Sequence, residues 1–123
     1  VFKGKKKKKF FVFKKKKKNS KIIAAIGPCI ARNSYEVDRK FRKKFLNKTS
    51  SAKKYFKQKN KQKFNFDLRK YITFILKKSG VRVVDNINLD TFCDQKMFYS
   101  YRRSKKTGES DYGRLISVIS LKK

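Results

Sequence analysis

The sequence predicts an α/β fold: an incomplete mixed sheet of about four strands with two helices. Three features carry that expectation: a continuous apolar run at Ile22–Ile26, two segments with apolar residues at helical spacing, and an alternating apolar segment at Leu115–Leu121. At 123 residues the chain has room for one domain or part of one.

Residues 1–20 set two blocks of five lysines around the aromatic plug Phe10–Phe13 and close on Asn19-Ser20. Like-charge repulsion at consecutive positions opposes compact structure, so this stretch is expected to be a disordered or fraying low-complexity tail, with 21–123 as the folded part. A nuclear-localisation or phosphate-binding arm is the functional alternative for the tail.

From Lys21 the character changes. The run Ile22, Ile23, Ala24, Ala25, Ile26 ends at Gly27-Pro28 and reads as a strand buried on both faces, which demands neighbours the preceding lysines do not supply. Structure upstream of this segment is therefore expected. Asn33-Ser34 offers an N-cap for a helix over Tyr35–Leu46, with Glu36 and Asp38 in its first turn and Arg42, Lys43 and Lys44 toward its end. Residues 47–63 are rich in Lys, Gln, Asn and Ser and read as a solvated connection. A second helix is expected over Phe66–Lys78, stopped by Ser79-Gly80. Val81–Ile87, Met97–Tyr101 and Leu115–Leu121 then read as strands.

The formal charge of +30 suggests a nucleic-acid footprint, and non-specific nucleic-acid association follows from counterion release whatever the charge is for. Residues 1–20 hold 11 of the 38 basic residues, so the excess runs through the whole chain; the recurrence of Lys, Asn, Ile and Phe also fits an A/T-rich coding sequence. Cys29 and Cys93 lie far apart without CxxC spacing, and the chain has no histidine, so no familiar zinc, haem or Cys/His catalytic constellation can be assembled from it. The longest export-like run is four residues, too short for a signal or a membrane span; a cytoplasmic location with no membrane partner is the expectation.

Specific residues carry a resemblance. Ala24-Ala25-Ile26-Gly27-Pro28-Cys29-Ile30 followed by Tyr35-Glu36-Val37 closely resembles the A-x-I-G-P-x-I…Y-E-V segment of the laccase-domain family. These proteins are also called YfiH-like, multicopper polyphenol oxidoreductases or peptidoglycan editing factors. Phe66-Asp67-Leu68, Thr91-Phe92-Cys93, Phe98–Arg103 and the pairs Thr107-Gly108 and Gly113-Arg114 resemble further blocks of that family in its own order. The resemblance covers about residues 21–121 and implies the carboxyl-terminal half of the laccase-domain fold.

That resemblance implies phosphorolysis of purine nucleosides, adenosine deamination, a historical polyphenol oxidase label, and one zinc or copper. The metal ligands it implies are a histidine, a D-C-x-P cysteine and an H-A-G-W-R-G histidine, and this sequence contains none of them. A truncated laccase-domain protein, inactive alone, is therefore expected. The alternatives are half of a split enzyme completed by an amino-terminal partner half, with purine nucleoside and phosphate bound only then, or a basic nucleic-acid-associated protein.

No catalytic or metal-binding residue is assigned within the chain. Three residues are candidates for a substrate pocket: Cys29, just past a strand end where α/β folds place functional groups, and Arg102 and Arg103, whose guanidinium forks suit phosphate. On a strand the two arginines would point to opposite faces, so only one could enter a given pocket. Packing for Cys29 and solvated surface charge for the arginines are the competing readings. Glu36 reads as a helix-start acid rather than a general base.

Overall fold

The computed structural model describes residues 22–120; the lysine-rich segment 1–20 and Leu121 lie outside the described residues. Within them the chain runs β1 (Ile23–Ile26), β2 (Glu36–Asp38), α1 (Arg39–Leu46), a 3₁₀ turn (Ser50–Tyr55), β3 (Phe56–Gln58), β4 (Lys63–Phe66), α2 (Leu68–Lys78), β5 (Val83–Asn86) and α3 (Tyr101–Thr107). The α/β expectation holds, as two small sheets. β1 and β5 pair in parallel, with Ile23 opposite Val83 and Ile26 opposite Asn86. β2, β4 and β3 form an antiparallel sheet in that order.

The antiparallel sheet forms where lysines mask the pattern. The segment 47–63, expected to be a solvated connection, instead supplies the 3₁₀ turn and the β3–β4 hairpin. Asn60 makes the turn, its Oδ1 accepting from the N–H groups of Gln62 and Lys63, both at 2.9 Å. An Asn side chain that caps backbone donors in this way substitutes for a regular turn residue. Alternation along β4 then puts Phe64 and Phe66 on one face, which is buried.

Phe66 is fully buried and stands at the centre of the core. Its ring stacks on Phe56 with centroids 4.5 Å apart and meets Phe45 at 4.9 Å, Tyr35 and Phe41 at 5.6 Å, and Tyr71 at 5.7 Å. Val37, Tyr55 and Phe64 complete the buried cluster.

Both longer helices are capped by an aspartate. Asp38 accepts from the Phe41 N–H at 2.7 Å and opens α1, so that helix begins four residues after the expected start, and Tyr35 and Glu36 lead into and form strand. The competing caps explain the shift: Ser34 turns its hydroxyl elsewhere, and the Asp38 carboxylate is the stronger acceptor at a positive helix end. Asp67 caps α2 through the Lys70 N–H. Gly80, at φ 94°, ends α2 where expected, with Val81 N–H reaching Leu76 O and Gly80 N–H reaching Lys77 O, the paired bonds of a Schellman turn.

Two expected strands are absent among the described residues. At Met97–Tyr101 the chain turns, with Phe98 N–H bonded to Asp94 O, and Ser100 caps α3 through Arg103 N–H. Residues 115–120 have no regular structure and stand exposed, because no strand among the described residues offers them a ladder partner.

The parallel pair is covered on one face only. Ile26 is buried on the side where α2 packs, whereas Ile23 (67% exposed), Val83 (43%) and Ile87 (47%) face away from it. The both-faces burial expected of β1 is thus not met among the described residues.

Phe66→Ala is expected to remove about 3–5 kcal/mol of stability, the range for deleting a fully buried aromatic ring. Chemical denaturation should show the midpoint collapsing, while Tyr99→Ala, at an exposed ring, should leave it nearly unmoved.

Candidate functional site

The carboxyl ends of β1 and β5 carry the segments that hold the candidate residues. Beyond the strands the parallel pairing continues as a single bridge between Cys29 and Asp90, with Thr91 N–H donating to Cys29 O at 3.3 Å. In open α/β sheets this end of the strands is where ligands bind.

Asp90 ties the two crossing segments together. Its Oδ1 accepts from Ala31 N–H at 3.1 Å and Phe92 N–H at 2.9 Å, and its Oδ2 from the Ser34 hydroxyl at 2.6 Å. Cys93 Sγ lies 3.4 Å from the same hydroxyl. Because the Ser34 proton is committed to Asp90, the thiol is the donor in that contact, giving a chain from Cys93 S–H through Ser34 to the carboxylate. Burial alone would raise the Asp90 pKa, but the donors from Ser34, Phe92, Ala31 and Cys93 outweigh it and hold the carboxyl below its ordinary value of 3.8. Ser34, expected to cap α1, serves this tie instead, and Asp90 is not among the expected site residues. The available signal was an aspartate two residues before Phe92 N–H, the spacing of a local side-chain turn.

Arg102 and Arg103 lie on α3, not on a strand, so alternation does not separate them. Arg103 gathers three carbonyls: its Nη1 donates to Thr91 O and Phe92 O at 3.0 and 2.8 Å, and its Nη2 to Phe98 O at 2.6 Å. That grip fixes the loop carrying Cys93. Arg102 turns to the antiparallel sheet, donating to Glu36 O at 2.8 Å with its guanidinium 4.8 Å above the Tyr35 ring. Glu36 is a strand residue whose carboxylate holds Lys59 at 2.6 Å, and that hydrogen bond lowers its pKa. It is neither a helix-start acid nor placed as a base.

A cavity of about 540 Å³ opens beside α3, lined by Tyr99, Ser100, Arg103, Glu109, Asp111, Tyr112, Gly113 and Arg114. Two guanidinium groups, two carboxylates and two phenols give it the mixed polar lining that suits a polar organic ligand. A Cβ at Gly113 would come within 2.5 Å of the Tyr99 ring, so a larger residue there would displace that ring. Of the three candidate residues, Arg103 lines this cavity. Cys29 is half-buried at the strand-end bridge, and Arg102 is engaged with Tyr35 and Glu36.

The donors for a zinc or copper ion do not fit this chain. It has no histidine, and the described residues contain no group of three or more Cys, Asp or Glu side chains placed to hold a metal.

The Asp90 tie should be read in acid. A depressed folded pKa stabilises above the unfolded value of about 3.9 and loses that contribution as pH falls through the folded pKa. Unfolding midpoints of the chain should therefore decline in acid below about pH 4, while Asp90→Asn should be less stable at neutral pH and flatter below it; parallel acid limbs would contradict the assignment.

Comparison with known proteins places this geometry. The family model described as multi-copper polyphenol oxidoreductase laccase matches residues 6–122. The purine nucleoside phosphorylase RP494 of Rickettsia prowazekii is 37% identical over 102 residues, 82% of this chain and 42% of that protein. The phosphorylase PA4543 of Pseudomonas aeruginosa is 32% identical over 89 residues, covering 72% of this chain and 37% of that protein. The crystal structure of Neisseria meningitidis protein NMB0706 superposes with a TM-score of 0.62 at 30% identity, over 64% of this chain and 33% of that one. The chain thus spans about two fifths of the length of the relatives it matches. With the Ile26-Gly27-Pro28 strand end, the Asp90 tie and the Arg103 grip all inside a match that runs nearly end to end, the chain belongs to the multi-copper polyphenol oxidoreductase laccase family.

Proposed function

We propose that this chain is the carboxyl-terminal part of a metal-dependent purine nucleoside phosphorylase domain, and that it is not catalytic by itself. The observation that carries the reading is the half-covered parallel sheet. α2 shields one face of β1 and β5, and Ile23, Val83 and Ile87 stand exposed on the other, with Asp85 between the last two. Apolar strand faces of this kind are normally covered in parallel sheets.

In this reading an amino-terminal half, within one polypeptide or as a separate chain, covers that face and supplies the zinc or copper ligands. Those upstream ligands would hold the ion and its Lewis-acid chemistry, and no residue of this chain would bind it. The residues present here would do the rest: the cavity beside α3 would receive purine nucleoside or phosphate, with Arg103 and Arg114 offering donors to anionic oxygen. Arg103 would also hold the loop of Thr91 and Phe92 in place through its carbonyl contacts. Cys29 would act by packing at the strand-end bridge.

Among the described residues no helix is long and apolar enough to cross a membrane. Cytoplasmic residence, with Cys29 and Cys93 reduced, is the location that fits this function.

Co-expression of the chain with the upstream part of the Rickettsia prowazekii phosphorylase is the test. A complex that binds one equivalent of zinc or copper and phosphorolyses inosine or adenosine is expected, with the isolated chain inactive. Val83→Asp should abolish complex formation yet leave the isolated chain as stable as before, since Val83 is exposed there. Phosphorolysis by the isolated chain, or complexation indifferent to Val83, would overturn the proposal.

A further inference from the structure

A second cavity, of about 600 Å³, lies where α2, the 3₁₀ turn and the end of β5 meet. Four cations line it, Lys54, Arg69, Lys70 and Lys77, and no acidic side chain does. Asp67 approaches one of the four, with its Oδ2 4.0 Å from Lys70 Nζ. Arg69 is held by neutral acceptors, its Nη1 donating to Asn88 Oδ1 at 2.7 Å and its Nη2 to Leu89 O at 2.8 Å, so its charge is positioned without being cancelled.

The groove wall is largely apolar, made of Tyr55, Phe74 and the stems of the cations, and its few polar groups are mostly donors. Asn88 Oδ1 accepts from Arg69, which leaves that carboxamide its NH₂ group to offer a ligand. Ammonium, guanidinium and amide donors together complement oxygen-rich anions. From Arg69 to Lys77 the cations extend along α2 for about 12 Å at 1.5 Å per residue. That length accommodates a few consecutive phosphates of a strand laid along the groove. Phe74 lies among them, half-buried, with Lys54 Nζ 5.1 Å from its ring centroid.

We propose that this groove binds single-stranded nucleic acid through its phosphate backbone. The site is separate from the cavity beside α3 and does not depend on the phosphorylase reading. A row of cations with one aromatic ring among them and no acid in the lining is the arrangement that tracks a backbone while tolerating any base.

The test must separate this groove from the general basicity of the chain. Fluorescence anisotropy with a labelled twelve-nucleotide deoxythymidine strand would compare the full 123-residue chain with K54Q/K70Q/K77Q and with K40Q/K43Q/K44Q, an equal charge loss on α1. The groove variant should lose about tenfold or more in affinity and flatten the log–log salt dependence by about 2, at roughly 0.7 per phosphate contact removed. The α1 variant should change little in either measure. Independently, acetylation of the unaltered chain should be slowed by the oligonucleotide at Lys54, Lys70 and Lys77 and not at Lys40, Lys43 or Lys44, a readout that stands even if the triple variant fails to fold. Equal losses in both variants, uniform protection, or equal competition by inorganic polyphosphate or polyglutamate of matched charge would overturn the proposal.

Discussion

Phe66 sits fully buried at the middle of an aromatic cluster drawn from strands, helices and the 3₁₀ turn, and the remaining architecture is arranged around that ring. The reason is electrostatic. With 38 basic and 8 acidic residues, the chain has too few anions for ion pairs to hold it together. Its described side chains form three such pairs, two of them sharing Glu36. Cohesion must come from burial, and aromatic rings bury the most area per residue while leaving a face that attracts cations. Lys54 over Tyr55 and Phe74, Arg42 over Phe64 and Arg102 over Tyr35 use that property. The rings that form the core thus also give part of the excess charge a favourable place at its edge.

The two sheets meet this constraint differently. The antiparallel sheet has its core face filled by α1, α2 and the aromatic cluster. The parallel pair has α2 on one side and exposed aliphatic side chains on the other. A parallel pair of four-residue strands exposing apolar side chains on one face is far from a self-sufficient layer, and this asymmetry is what gives the proposed second half its docking face.

The parts of the fold that could be read in advance are those in which one local rule acts alone. β1 is an uninterrupted apolar run with a Gly-Pro stop, and α2 pairs a clear stripe with a glycine that needs positive φ. The parts that could not be read are those where two rules competed. Asn33-Ser34 and Asp38 both offered caps to α1, and the tie to Asp90 decided between them. In the hairpin, lysines flanking Phe56 and Phe64 hid a period-two pattern of only a few apolar positions. The aromatic and apolar residues at Met97–Tyr101 suggested strand, whereas Ser100 set up a cap for α3 and Arg103 then collected the preceding carbonyls. Of the candidate site, the strand-end placement of Cys29 was legible from Gly27-Pro28. The tie from Asp90 to Ala31 and Ser34 was not, because those two partners are nearly sixty residues away in sequence.

The eight carboxylates show why chemistry is so thinly provided for in this chain. Asp38 and Asp67 cap helices, Asp90 ties two crossing segments, and Asp94 closes the turn before α3 through Met97 N–H. Glu36 holds Lys59, Glu109 accepts from the Thr107 hydroxyl, and Asp111 accepts from the neighbouring Tyr112 N–H. Asp85 alone stands exposed on β5 without a hydrogen bond among the described residues. Seven of the eight carboxylates are thus committed to backbone or side-chain partners within the scaffold. A chain with no histidine and its acids engaged this way retains guanidinium groups, phenols and thiols, which can bind and orient anionic or aromatic ligands. The proposed division of labour, with binding and scaffold here and metal chemistry on a second half, rests on the half-covered sheet and the cavity beside α3.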